Sequence, residues 1–233
     1  MPWLNNIIVL LILLAGAAFS IGRKKLTVPA TLAGAAAGWL VYAGGGYTGL
    51  VMLTSFFIMG TVATSWGKKV KGAAAQMTRT MSQVLANGGV AALAGLGIIF
   101  FPACRHPLEL AMAGSLASAT ADTLSSELGM IYGRRCYNIL TWKPDQRGLD
   151  GVVSIEGLII GIAGSAVIAL LYAVSHGWHT SGWIIILSGT TGNLADSLLG
   201  ATLERKGFIG NDMVNFLNTL VAGVLAAALA ALC

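Results

Sequence analysis

The chain has 233 residues, of which 56% are hydrophobic and only 10% charged; mean hydropathy is +0.78 and the net charge +5. A soluble domain carries about a quarter charged residues, so this chain cannot cover a water-facing surface and its solvent is lipid. Composition therefore excludes a soluble enzyme, and no nucleic-acid partner is expected. A span needs about 20 apolar residues, which predicts an all-α, polytopic membrane helix bundle of about eight helices in one transmembrane domain, 1–233.

In chain order the apolar runs are 4–21, 27–43, 47–66, 82–102, 108–131, 152–175, 182–203 and 212–232. No Lys or Arg precedes the first, so it reads as a span and not as a cleavable signal. The second, rich in Ala and Gly, carries the weakest signal. Most of the 31 glycines read as helix contacts, because membrane helices associate through close packing of small residues. Cys104, Cys136 and Cys233 have no CxxC spacing, which suggests neither a zinc site nor a disulfide framework.

Basic residues provide an independent test. Every Lys and Arg except Arg105 falls in the loops before or after alternate spans, at 23–25, 68–79, 134–147 and 205–206. Positive charge stays on the cytoplasmic side, which predicts both termini outside and the loops 67–81, 132–151 and 204–211 inside.

The polar residues of the spans collect at that same level. Gln83 and Asn87 open the fourth run in SQVLANGG (82–89), and Asp122 and Glu127 lie in ADTLSSELG (121–129). Asp150 and Glu156 lie in LDGVVSIEG (149–157), and Asn193, Asp196 and Glu204 in GNLADSLLGATLER (192–205). Asn211, Asp212, Asn215 and Asn218 follow in GNDMVNFLNTL (210–220). Acids in the bilayer are functional candidates by default, and so many carboxylates at one depth repel each other unless a cation sits among them. Carboxylates with amide oxygens suit Mg²⁺. The expected metal-facing, catalytic carboxylates are Asp122, Glu127 and Asp196. Gln83, Asn87, Asp150, Asn193, Asn215 and Asn218 are the expected polar substrate ligands. Lys68, Lys69, Arg79, Arg134 and Arg135 are the expected phosphate ligands, with Arg147 and Arg205 as the alternative entrance. Ala-Asp-Thr-Leu at 121–124 and Ala-Asp-Ser-Leu at 195–198 form a faint repeat, which would put two aspartates in pseudo-symmetric positions.

Other features carry no chemistry. His106, His176 and His179 fall in outer loops and read as interfacial, and the tryptophans cluster near span ends as an aromatic belt does. The inner loop GKKVKGAAAQMTR lacks the GxxxxGK[ST] pattern of a P-loop. Asp150-Gly151 has no aspartate three residues before it, which excludes the CDP-alcohol phosphotransferase motif.

Through SQVLANGG, ADTLSSELG, LDGVVSIEG, LADSLLGATLER and NDMVNFLNTL, from about residue 50 onward, the chain resembles the transmembrane protein 19 family, whose members include phytyl-phosphate kinase. It departs from that family's Asp-Gly segment at Leu149 and Val152. ADTLSSELGMIYGRR is also similar to a helix segment of the CTP-dependent phytol and dolichol kinases. The resemblance implies transfer of a phosphoryl group from a nucleoside triphosphate, with CTP the expected donor, to a prenyl monophosphate such as phytyl phosphate, in isoprenoid metabolism. The alternative is a transporter or flippase for a polyprenyl-type or other anionic lipid. Such a protein would use similar embedded acids and repeats, but with a site near the midplane.

Overall fold

The computed structural model describes residues 2–71 and 78–232, without the side chains of Pro2 and Lys69. Eight α-helices follow one another: α1 (Pro2–Gly22), α2 (Val28–Ser65), the short α3 (Lys68–Lys71), α4 (Met81–Phe100), α5 (Arg105–Tyr132), α6 (Ile155–His176), α7 (Thr180–Leu199) and α8 (Asn211–Ala230). A two-stranded antiparallel hairpin, β1 (Cys136–Asn138) and β2 (Val152–Ser154), joins α5 to α6. This all-α bundle is the expected fold class. The second and third apolar runs lie on either side of a break within α2, so the described residues form seven long helices when α2 is counted as one; no run predicted the β-hairpin.

At 38 residues α2 would be far longer than the bilayer core if it were straight, about 57 Å at 1.5 Å per residue. It is broken at Gly46, whose φ of 62° and ψ of −155° lie outside the helical region and suit only a residue without a side chain. The two arms fold back on one another. A methyl on Gly38 would lie 3.9 Å from Leu53. Lys25, just before the helix, donates from Nζ to Ser65 Oγ at its far end (2.8 Å). Each arm then rises by roughly one bilayer core.

α5 is the central helix, packed against α2, α4, α6, α7 and α8. Residues 110–121 are buried without a break, which the small side chains Ala, Gly, Ser and Thr permit on every face. The core around it contains Val41, Met52, Leu116, Ile168 and Ile185. Large apolar residues such as Leu32, Leu93, Phe100, Leu170 and Val174 are exposed on the outer surface, as a lipid-facing wall requires. Five helices (α1, α2, α4, α6 and α8) are long and apolar enough to cross a membrane by length and composition. α5 and α7 carry the embedded carboxylates; α5 is packed among the other helices, while α7 also exposes Trp183 and Leu187 on the outer surface.

All Lys and Arg residues but Arg105 belong to one end of this bundle. At the other end the α2 tip meets the neighbouring helix ends: Arg105 donates to Gly44 O (3.3 Å) and Thr48 to Ser175 (2.7 Å). His176 lies there too, stacked on Tyr172 with ring centres 4.1 Å apart and 3.7 Å from Glu109, at the opposite end from Asp122 and Asp196. Three helices start at the basic end from side-chain caps. Thr27 accepts from Ala30 N, Thr80 and Gln83 form a reciprocal capping box, and Ser154 accepts from Gly157 N.

Backbone contact between α2 and α4 sets how the hairpin lies on the bundle. An added Cβ at Gly44 would overlap the Gly95 backbone, and one at Gly95 would overlap the Leu40 carbonyl. We expect Gly95→Val to lower stability by about 1–3 kcal/mol through overpacking, while Gly22→Ala, where nothing lies within 4 Å, stays near wild type. Thermal melts in detergent check this, and equal midpoints would mean that the crossing is not close.

Candidate functional site

At the basic end, α4, α5, α6, α7, α8 and the β-hairpin enclose a cavity of about 420 Å³. Its wall is mostly polar and includes Arg79, Gln83, Asn87, Asp122, Glu127, Arg147, Asp150, Asn193, Asp196, Glu204, Asn211 and Asn215.

The chain brings Asp122 and Asp196 together by repetition. A shift of 74 residues carries α4 onto α6, and α5 onto α7 with the turn that follows it. α5 and α7 run parallel, and equivalent positions touch. A Cβ on Gly114 would lie 3.5 Å from Ser188, and one on Gly192 would overlap Ser118 Oγ. One helical turn further toward the basic end the third equivalent pair, Asp122 and Asp196, lies to either side of one amide, that of Asn215 on α8.

α8 supplies the amides. Asn218, fully buried, donates from Nδ2 to Asp196 Oδ2 (2.7 Å) and accepts from Ser118 Oγ (3.0 Å). The Asn215 amide, turned so that its nitrogen faces the carboxylates, donates to both Asp122 Oδ2 and Asp196 Oδ2 at 3.2 Å. Such amide orientations follow from the hydrogen-bond network. Asn215 thus bridges the two acids.

The opposite wall comes from the loop between the β-strands and the end of α7. Gly151 has φ +74°, and an added Cβ would overlap the Cβ of Ala201, so only glycine lets the loop rest on that turn. The turn itself, Gly200–Glu204, is a π-helical widening in which Arg205 N bonds Gly200 O (3.0 Å). Such widenings recur at functional sites. Together they bring Asp150 beside Asp196 and Glu204. Asp145 anchors the loop from outside by pairing with Arg205 (2.9 Å). The Gln146 N–H, followed by the Arg205 side chain, holds the Asp145 carboxyl below the usual carboxylate range.

Glu127 is placed differently from the expectation that grouped it with the two aspartates. It borders the cavity but is ion-paired to Lys71 of α3 at 2.5 Å, and Lys71, with a side chain only 2% exposed, also donates to Ala63 O (2.7 Å). Among the described residues no group of three His, Cys, Asp or Glu is arranged to hold a metal. The pair Asp122 and Asp196 is what remains.

Of the expected substrate ligands, Gln83, Asn87, Asp150, Asn193, Asn215 and Arg79 line the cavity, and Asn218 supports it from behind. Lys68, Arg134 and Arg135 are exposed and lie outside its wall, although Arg134 N donates to Glu156 (3.3 Å). The Lys69 side chain falls outside the described residues. Arg79 is half-buried, sits over the Phe56 ring at 5.9 Å, and makes no ion pair among the described residues. Burial draws its guanidinium below the usual value, against the pull of Glu127, but an arginine stays charged.

Sequence reasoning underrated Arg147, Glu204, Asn211 and the hydroxyls of Ser125, Ser126 and Ser154, all in the wall. Arg147 donates to the carbonyls of Met130 (3.1 Å) and Gly133, so it caps the end of α5. The signal for Glu204 was present: Asn193, Asp196, Gly200 and Glu204 follow helical spacing.

Comparison with known proteins agrees with this fold. The chain is 37% identical over 190 residues to an uncharacterized membrane protein of Methanocaldococcus jannaschii, covering 77% of this chain and 75% of that one. It is 34% identical to an uncharacterized membrane protein of Synechocystis, covering 97% of this chain and 90% of the relative. To Protein VTE6, chloroplastic, of Arabidopsis thaliana it is 27% identical over 89% of this chain and 67% of the relative. That similarity accords with the resemblance to the transmembrane protein 19 family. No solved structure matches the chain. The model of the integral membrane protein family DUF92 matches residues 11–223, and the chain belongs to that family.

Proposed function

We propose that the protein is a multi-pass membrane phosphotransferase that converts a prenyl monophosphate to its diphosphate, with CTP as donor and Mg²⁺ as cofactor. The observation that carries this reading is the bridged pair Asp122 and Asp196 in a polar cavity at the basic end of an otherwise apolar bundle. Similarity to VTE6 and to the transmembrane protein 19 family supports the prenyl substrate.

The chemistry is in-line transfer. An acceptor phosphate oxygen forms a bond to the donor's γ-phosphorus, the bond to the β–γ bridging oxygen breaks, and the nucleoside diphosphate leaves. The acceptor is already largely ionised, with a second pKa of about 6, so no side chain has to remove a proton. What the protein must supply is alignment and charge neutralisation. The carboxylates of Asp122 and Asp196 would hold Mg²⁺, which takes one or two carboxylates and completes its shell with water and substrate phosphates, while the Asn215 amide nitrogen orients the two acids. Bound there, the ion would offset the charge of the donor phosphates. Asn218 holds Asp196 in place, while Arg79 and Arg147 face the same space as the phosphate oxygens. Toward the other end the bundle closes with Leu116, Ile168 and Ile185, all fully buried. This apolar packing favours chemistry at one face over transport.

Purified protein incubated with CTP, ATP, UTP and GTP against a panel of prenyl monophosphates should release prenyl diphosphate only with Mg²⁺ present. Absence of product with every donor would sink the reading. Asp122→Asn and Asp196→Asn should each lower turnover by about 100-fold or more while the melting temperature holds; near-normal turnover in both would leave the pair a packing element.

Glu127→Gln should act on stability first. It strips a buried lysine of its counter-charge, which costs about 3 kcal/mol or more, and a normal melt with lost turnover would return Glu127 to the chemistry.

Orientation is tested by labelling. In sealed right-side-out vesicles an impermeant maleimide should modify Cys104, at the start of α5, in a Cys233→Ser variant. It should spare Lys143→Cys in the β-hairpin loop. The reverse pattern would separate the cavity from cytoplasmic nucleotide.

A further inference from the structure

A second cavity, of about 210 Å³, lies between α1, both arms of α2 and α4. Leu13, Ala17, Leu53, Phe57 and Val84 give it an apolar wall. At its inner end the lining changes to Arg79, Gln83 and Asn87, the same residues that border the polar cavity. The two spaces therefore meet at one place, with the Arg79 guanidinium at the boundary. Asn87 donates to Gln83 O (2.9 Å), but its Oδ1 is buried there without a hydrogen-bond partner. An orphaned buried acceptor costs stability unless a donor, such as a water bridging to a bound group, reaches it.

Glycines keep the apolar cavity open. Gly88 is buried, yet an added Cβ would find nothing within 4 Å, and at Gly34 only Val84 Cγ1 lies in range, at 3.8 Å. Deeper in, a Cβ on Gly38 would press on Leu13 at 2.8 Å, so α1 closes the space there. α1 packs chiefly on α2 and exposes most of its length to lipid, which gives an apolar ligand a sideways route in.

We infer that this cavity seats the single isoprenoid tail of the acceptor, with its monophosphate held at the Arg79 boundary so that the phosphate reaches into the polar cavity. The inference deepens the proposed function and rests on it for the head group. A slot walled by four helical segments suits one chain. Its lining runs from Thr31 to Gly38 on one arm of α2 and from Leu50 to Phe57 on the other, about 10 Å each, so a long tail leaves along α1 and the slot reads the units nearest the phosphate. Gly34 and Gly88 determine which branched tails enter.

The test is photoaffinity labelling of the wild-type protein in detergent with farnesyl monophosphate carrying a diazirine on its first isoprene unit, followed by peptide mapping. Adducts should fall on α1, α2 and α4 residues of the cavity and be displaced by farnesyl monophosphate but not by phosphatidic acid. Adducts on the outer groove between Val62 and Tyr132 overturn the inference, and equal displacement by phosphatidic acid overturns the single-chain assignment. Gly88→Leu and, independently, Gly34→Leu should weaken farnesyl monophosphate binding by about tenfold while a methyl phosphate head group binds as before. Unchanged farnesyl binding in both counts against the site. Arg79→Gln should weaken farnesyl monophosphate by about tenfold and leave farnesol unaffected; an equal loss for both removes the phosphate from the boundary. This binding readout is independent of turnover: labelled cavity residues without product from any nucleotide would overturn the kinase reading and leave the tail site standing.

Discussion

The close contact of α5 with α7 is the constraint on which the site depends. Lipid gives two apolar helices no reason to prefer each other over acyl chains, so they stay together only where their surfaces fit. Here Gly189 and Gly192 of α7 carry no side chain where an added Cβ would overlap Ala117 and Ser118 of α5. The same closeness brings Asp122 and Asp196 to the two sides of the Asn215 amide at the next turn. Two acids this near inside a membrane protein are tolerable only with compensation, which α8 supplies through Asn215 and Asn218. Loosen the glycine contact and the carboxylates separate.

Around that contact the polar and apolar parts divide along the bundle axis. The half toward Arg105 is filled by side chains such as Leu110, Met112 and Ile185 and contains few groups able to bind anything charged. The half toward the basic loops is hollow. Its acids come from α5, α7 and the hairpin loop, while its cations come from segments outside the long helices, Arg79 before α4 and Arg147 in the loop, with Lys71 of α3 paired to the Glu127 of its wall. Charge of opposite sign thus reaches the cavity from different depths, the carboxylates from within the bundle and the cations from its mouth.

Much of this was legible in the chain. Run length and the placement of Lys and Arg gave the spans and their alternation, because hydrophobic thickness and charge distribution act locally on each segment. The depth of the acids followed from helix position alone. The four-residue match at Ala121 and Ala195 was a weak signal in an Ala-rich chain, and only the contact of equivalent positions gives it weight. Three-dimensional pairing was not legible. Nothing in the spacing says that Glu127 turns to Lys71, that Arg147 reaches back to the end of α5, or that Asn215 lies between two aspartates. The division of α2 followed from the two apolar runs on either side of Gly46, whereas the non-helical backbone angle that makes the break was not legible. The β-hairpin was missed because its strands are only three residues long and hold no alternation pattern.

The break at Gly46 has a bearing on how the chain enters the bilayer. The tip between the two arms, Gly44-Gly45-Gly46-Tyr47-Thr48, carries no charge. A lysine or arginine drawn through the centre of the membrane costs about 2.5–3.5 kcal/mol on the insertion scale, and this tip avoids that cost entirely. Both arms can therefore partition together as one apolar hairpin, with Lys25 and Ser65 held to each other at its open end. The stretches of α2 that line the two cavities then enter the bilayer as one unit.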